Sequence, residues 1–507
     1  MNKIRIKDIY AGMPDAKDEF ITDQGDSFFA SFVVPPGLEI ADILCGKKFL
    51  ICGDKGVGKT SVLYYLQKKA QENDVNTCTS FMYFKSEFGE KKKSNMETIE
   101  KKMTAVVDIS GEIQAEKVEY LDIWRWVFYK KIVDDCEENQ NGLFEQDDNW
   151  REFEKLVNKI SFSSESKKVI SLSSLSLSVS ASTKKGLSGE AKVEFEKVAR
   201  SSSAFSQLIE IVEKCDKSFE KLKRTDIPYY IFVDEMEAYF GNKEIFKRDL
   251  TLIRDLIFTI YRINSVGKIK IIAALRNEVL YSIGKFIQPR EINKITDGYG
   301  FLLKWSYSNT TSYDHPIIKI LMKRISITCG TEQSFINWFP EKIGKRYTVS
   351  YILDNGWNKP RDIVRLIRAA QNDSIHCNDS FFSQAVFDTL RKEYSRNSLS
   401  EVKEELQSLY TIEEIEMLLR LIRGGNKVIT PEILRKKSEN DVATKKLWYD
   451  RENDILEDFY RVGIWGNKTR NGKRWRWNHK GDTGVLKGDG WELVIHPALW
   501  SELSIIY

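Results

Sequence analysis

The chain has 507 residues, 42% of them hydrophobic and 30% charged. That balance excludes a disordered or collagen-like chain, and at about 150 residues per domain the length fits about three domains whose cores need no disulfide or metal staples. Lys plus Arg number 78 against 74 Asp plus Glu, a formal charge of +4, which excludes a globally polycationic nucleic-acid binder but not a local basic patch.

Seven scattered cysteines show no CxxC or Cys/His spacing, so reduced thiols are expected rather than a zinc site or a disulfide framework. The first twenty residues are polar and carry acids, unlike a signal peptide, and no apolar run is long enough to cross a bilayer. A soluble, cytoplasmic protein without a membrane partner is expected.

Residues 1–40 read as a leader ending in the Pro35-Pro36-Gly37 turn signal. Lys48 to Cys52 is a short apolar run that predicts a buried strand, and helical spacing follows from Ser61 to Lys69. Cys78 to Phe88 predicts a second strand. Tyr120 to Val133 predicts a mostly buried helix, with Trp124 and Trp126 in the core. Ser171 to Ser182 alternates serine with Leu and Val, a period of two that predicts a hairpin returning through Lys184-Lys185-Gly186. Tyr229 to Val233 and Lys270 to Leu275 predict buried strands separated by an amphipathic helix over Ile245 to Ile263, and Tyr299 to Trp305 predicts one more strand. Strands alternating with helices predict an α/β class with a largely parallel sheet. The pattern gives a core over residues 41–310 with an insertion over about 89–225, a helical lid over 311–395, and a C-terminal domain over 396–507 whose boundary falls in Ser395 to Gln407.

Gly53, Asp54, Lys55, Gly56, Val57, Gly58, Lys59 and Thr60 fit GxxxxGK[ST] between a predicted strand and a predicted helix. Glycines let successive backbone N–H groups turn inward on phosphate oxygens, and the helix presents its positive end to the same anion. Lys59 reaches the β- and γ-phosphates and Thr60 offers a hydroxyl to Mg²⁺. The expected ligands are therefore ATP and Mg²⁺. Asp234 and Glu235 end the YYIFV strand, where one carboxylate suits Mg²⁺ and the next suits a catalytic base, with Glu237 the weaker candidate base. Arg276 ends the next strand, where it either senses the γ-phosphate or caps the following helix. Asn358-Lys359-Pro360-Arg361 opens a helix from which Arg361 can swing onto the nucleotide; Arg365 and Arg368 read as a solvated face. Arg290 is a weak arginine-finger candidate beside an ordinary surface role.

These motifs resemble the AAA+/STAND superfamily, and bacterial ATPases related to origin-recognition and Cdc-type initiators in particular. Gly12 to Ala16 with Glu19, and Ile495 to Trp500, resemble those proteins too. The resemblance implies an ATPase (a P-loop nucleoside triphosphate hydrolase) with a parallel-sheet core and a helical lid; separately, three helices followed by a β-hairpin in the C-terminal domain resemble a winged helix. It implies that Arg276 senses the γ-phosphate and that Asn358 to Pro360 couples nucleotide state to the lid. It further implies homo-oligomers and a role in antiphage defence; the sequence shows no nuclease, protease or NAD-hydrolase constellation, so any toxic activity is expected in a separate effector protein. Two departures stand out: the large insertion before Asp234, and Asn358 where STAND members carry Gly.

In the C-terminal domain, Leu419 to Arg423, Thr430 to Lys437 and Leu447 to Arg461 predict helices with Thr430 as an N-cap, followed by Gly-rich short strands. Between Arg461 and Lys480 stand seven basic residues and no acid, interleaved with Trp465, Trp475 and Trp477. Strand alternation places Arg474 and Arg476 outward and Trp475 and Trp477 in the core, so Lys473, Arg474 and Arg476 are candidate DNA contacts on a wing. The alternatives are a solvated hairpin or a protein-docking wing. His479 and His496 read as isolated structural residues. The second functional reading is an initiator-like nucleic-acid binder in which the P-loop is a regulatory nucleotide switch.

Overall fold

A computed structural model of the chain describes residues 4–506 apart from 23–24, 88–91, 95, 97–119, 140–141, 162–169, 172–206, 239–242, 288–291, 306–311 and 489. The chain divides into two compact units. One holds Glu39–Cys52 and Leu63–Phe301, the other Met1–Leu38, Gly53–Val62 and Leu302–Tyr507.

The first unit is α/β. Its sheet is built from β1 (Leu50–Gly53), β2 (Cys78–Tyr83), β3 (Tyr229–Met236), β4 (Lys270–Arg276) and β5 (Gly300–Leu302), in the order β2-β3-β4-β1-β5 and all parallel. Continuous apolar runs form these strands because a parallel sheet covered by helices buries both faces. β1 is buried along its length, as are the first six residues of β3. Helices α1 (Lys59–Asn73), α2 (Tyr120–Glu138), α3 (Lys243–Val266) and α4 (Asn277–Phe286) connect or cover the strands. Trp124 and Trp126 are core residues, as expected: their indole N–H groups donate to the carbonyls of Leu252 (3.0 Å) and Val157 (3.1 Å).

One local expectation changes. The second strand stops at Tyr83, and Phe84–Glu87 is helical. In the serine-rich region only Ile170–Ser171 is described; it pairs parallel with Ile160–Ser161, and the rest of the proposed hairpin lies outside the described residues, as does Arg290.

The second unit is mainly helical in its middle: α5 (Pro316–Cys329), α6 (Thr348–Asp354), α7 (Pro360–Gln371) and α8 (Gln384–Leu406). α8 covers nearly all of Ser395 to Gln407, the helical linker in which the sequence places a domain boundary. The leader packs on these helices. Buried Glu19 accepts hydrogen bonds from Tyr10 Oη (2.6 Å) and Met13 N (3.0 Å) and pairs with Arg324 of α5 at 3.1 Å. The Gly12-to-Ala16 motif is thus tied down by its own glutamate.

Three further helices follow, α9 (Ile412–Arg420), α10 (Pro431–Ser438) and α11 (Val442–Arg461). They share the module with β6 (Val428–Ile429), β7 (Trp465–Thr469), β8 (Trp475–Arg476) and β9 (Trp491–Ile495), antiparallel in the order β6-β9-β7-β8. Thr430 occupies the N-cap position of α10, but its side chain makes no capping hydrogen bond. Among the described residues, no helix is long and apolar enough to cross a membrane. All seven cysteines are free thiols.

Candidate functional site

The GxxxxGK[ST] loop leaves β1 at Gly53 and enters α1 at Lys59. Gly56 and Gly58 take φ of +80° and +89°, the left-handed region that a side chain disfavours. Gly56 has a second constraint: a Cβ there would stand 3.0 Å from Glu401 Oε1 and 3.2 Å from Arg361 Cβ. Lys59 Nζ lies back over the loop, donating to the carbonyls of Gly53 (2.9 Å) and Asp54 (2.8 Å). A residue that sequence reading missed supports the loop from outside. The indole of Trp305, buried, donates to Val57 O at 2.9 Å.

The N-terminus of α7 meets this loop. Arg361 N approaches Gly56 O at 3.4 Å, and the nearest atom to a Cβ on Gly58 is Pro360 Cγ at 3.8 Å. Asn358 has φ of +54°. Asn tolerates the left-handed region better than other side chains, which gives the departure from Gly a backbone reason. The turn is fixed by Asp362, whose Oδ2 accepts from Trp357 N (2.7 Å) and Lys359 N (2.9 Å).

α8 contributes three acids on one face, Glu401, Glu404 and Glu405. Glu401 pairs with Arg361 at 3.1 Å and also with Arg365. Glu404 pairs with loop residue Lys55, and Glu405 with Lys359 at 3.3 Å. Burial opposes the Lys359 charge, yet Glu405, Asp54 and Asp362 outweigh it and hold its pKa above the usual lysine value. The expectation of a solvated face for Arg365 and Arg368 is overturned. Arg365 is buried and bonded to Asp362, Ser398 and Glu401; Arg368 donates to Gly12 O (2.7 Å), anchoring the leader. Asp362 is three residues from Arg365 on the same helix, but Ser398, Glu401 and Gly12 lie far away in sequence, where helical spacing cannot show them.

In the α/β unit, parallel strands end together, so β3 and β4 bring Asp234, Glu235, Glu237 and Arg276 to one sheet edge. The register between β3 and β4 shifts between Val233 and Met236, and Glu235 within that irregularity has φ of +57°. A non-glycine residue held there is strained, and such bulges re-aim side chains at strand ends. Asp234 is buried and Glu235 partly exposed. Arg276 stands at the N-cap position of α4 without capping it; its guanidinium pairs instead with Glu237 and, at 3.2 Å, Glu278. Glu237 also meets Lys85 at 3.3 Å, so the weaker base candidate is a partner of cations. Loop residues 53–60 belong to one compact unit and Asp234, Glu235 and Arg276 to the other.

The basic C-terminal window departs from the expected alternation. β8 is only two residues long, Trp475 is 53% exposed, and Arg476 donates to Thr483 O (3.1 Å) and faces Asp482 at 3.6 Å. Lys468 pairs with Glu492 at 3.1 Å. Arg470, Lys473 and Arg474 are exposed. Trp477 is buried as expected. His479 and His496 are not isolated: their ring centroids stand 5.5 Å apart, and Trp477 lies 5.6 Å from the first and 5.1 Å from the second. No group of three metal-ligating side chains is assembled among the described residues.

None of the curated proteins matches the chain. Residues 316–403, which hold α5 to α7 and nearly all of α8, match the model of the FunZ-associated C-terminal helical domain.

Proposed function

We propose that the protein binds and hydrolyses ATP at the loop over Gly53 to Thr60, and that its nucleotide state controls assembly of copies of the chain or of a separate effector. The observation that carries this reading is the loop itself: two left-handed glycines, a helix N-terminus, and Lys59 folded over the turn. Backbone N–H groups and the helix end bind the phosphates, and Lys59 exchanges its carbonyl partners for phosphate oxygens. The oxygen donors Thr60 and Asp234 are hard ligands of the kind Mg²⁺ prefers, and they are the residues that would hold it. When bound, Mg²⁺ neutralises charge on the phosphate oxygens. Glu235 takes the proton of the attacking water. Arg276 and Arg361, each held by carboxylates, change partners when a γ-phosphate is present.

The α/β class with a parallel sheet supports this reading, and the FunZ-associated match supports a defence-associated ATPase context. The finer assignment, an AAA+/STAND ATPase with a winged-helix-like C-terminal module acting in antiphage defence, is part of the proposal. A second reading, initiator-like nucleic-acid binding, is favoured by the exposed Arg470, Lys473 and Arg474. ATP turnover tests the first. Glu235→Gln retains ATP binding and slows release of phosphate by at least about a hundredfold, the scale of a lost general base. Unchanged turnover removes Glu235 from its role.

A further inference from the structure

A cavity of about 320 Å³ that the ATPase reading does not use is lined by the C-terminal module together with Arg346 and Asp354 of the segment around α6. That is within the range of small-molecule sites and holds a nucleobase with its sugar. Its walls are aromatic: Trp475, Trp477 and Trp500, with the imidazoles of His479 and His496. Trp477 is buried and fixed, whereas Trp475 keeps 53% of its surface in solvent and its indole N–H donates to Gly472 O at 3.0 Å, which orients the ring. Trp500 is likewise oriented by donating to Ile495 O at 2.8 Å. An exposed, held indole is a platform for stacking.

The charges select the ligand. Arg346 and Lys480 line the cavity with one acid, Asp354, which faces them at 3.8 Å and 3.2 Å. Two cations against one carboxylate suit an anion and reject a cationic guest such as methylated lysine. Burial holds both imidazoles neutral, with His496 lowered to about 3 by burial and by Lys480. The aromatic and imidazole part of the lining therefore adds no formal charge to that of Arg346, Lys480 and Asp354. His479 Nδ1 is a buried ring nitrogen with no protein hydrogen-bond partner. Outside the cavity the exposed Lys473 and Arg474 extend the positive surface along the turn that carries Trp475. A nucleoside monophosphate has no second phosphate to place there; the next phosphate of a strand does.

We propose that this aromatic cavity binds an unstacked nucleobase and its phosphate presented by a single-stranded nucleic acid. Bases stack on Trp475, Lys480 and Arg346 take the phosphate, and Lys473 and Arg474 follow the backbone. Sequence-tolerant stacking with salt-dependent backbone contacts is the expected mode. The site is independent of the nucleotide loop, so it stands or falls without the ATPase reading.

The test is a tryptophan-fluorescence titration of the full chain, without ATP, against a short single-stranded oligoadenylate, its duplex with the complementary oligothymidylate, and AMP. The single strand quenches fluorescence and binds more tightly than the duplex or AMP. Trp475→Ala weakens binding by roughly 5- to 150-fold, the range for one lost stacking contact, while Trp475→Phe retains most of it. Trp475 is half in solvent, so its unfolding midpoint should stay near that of the parent, and Lys59→Ala should bind the single strand as the parent does. Absence of binding, a preference for duplex, or an undiminished affinity in a folded Trp475→Ala protein would overturn the proposal. AMP binding as tightly as the oligonucleotide, and surviving Lys59→Ala, would also overturn it by assigning the cavity to a free nucleotide.

Discussion

Two side chains sit where glycine is the easier residue. Asn358 and Glu235 have φ of +54° and +57°. At Asn358, alanine keeps the backbone cost and loses the tolerance of an amide, so Asn358→Ala should lower unfolding stability by about 1 kcal/mol, while Asn358→Gly should be neutral or stabilising. Urea unfolding midpoints of the two variants decide this; an alanine variant as stable as the parent would contradict the conformational account. Glu235 offers the complementary test. Its strain is retained at a sheet edge beside Asp234, where the proposed chemistry needs a carboxylate. Glu235→Gly should leave stability unchanged or higher by up to about 1 kcal/mol and yet abolish turnover, a separation expected where strain serves function. A glycine variant that is both less stable and still active would place the strain elsewhere. The sequence made Glu235 visible as an acid after a strand, but not its dihedral, because a single bulge leaves no mark on hydropathy. Asn358 stood out only against a family pattern.

The element that joins loop and lid is α8. Its acids at 401, 404 and 405 follow i, i+3, i+4 spacing and so share a face. Glu401 and Arg365 expose 13% and 8% of their side chains, so removing the charge of Glu401 leaves the buried guanidinium with Asp362 as its remaining carboxylate; Glu401→Gln should cost about 2 kcal/mol. Glu404 is 55% exposed, and Glu404→Gln should cost less than about 1 kcal/mol. That milder variant also removes a carboxylate from beside loop residue Lys55, so ATP should bind up to about fivefold more tightly, as titration with a fluorescent ATP analogue can measure. Weaker binding in Glu404→Gln would mean that the pair supports the loop rather than opposing the nucleotide. The loop was legible in the sequence because its backbone requires glycine and lysine at fixed spacing. Its supports were not. Trp305, Glu401, Glu404 and Glu405 come from segments hundreds of residues away, and such pairs carry no local period. The β8 alternation failed for a different reason: two residues do not define a face.

On the scale of the molecule, all four histidines, at 315, 376, 479 and 496, fall in the unit that holds the loop and the C-terminal module. Burial lowers His315 to about 4 and His496 to about 3, well below the 6.5 of an exposed imidazole. The unfolded chain therefore binds protons that the folded one refuses, and stability falls as pH drops below about 6.5. Each group costs about 1 kcal/mol by pH 5.5. Scanning calorimetry at pH 7.5 and 5.5 should show the unfolding of this unit shifted down while the histidine-free α/β unit is nearly unmoved; a shift confined to the α/β unit would contradict it. The coarse architecture was legible, since buried parallel strands write continuous apolar runs. The packing of the leader onto Arg324 and Arg368 was not, because it rests on one buried glutamate and on the backbone carbonyls of Ala11 and Gly12. The measurement that bears most directly on the whole account is equilibrium binding of ATP with Mg²⁺ to the parent protein and to Lys59→Ala. The account predicts saturable binding by the parent and its loss in the variant, with the fold intact by its unfolding midpoint; equal binding by both proteins would contradict it.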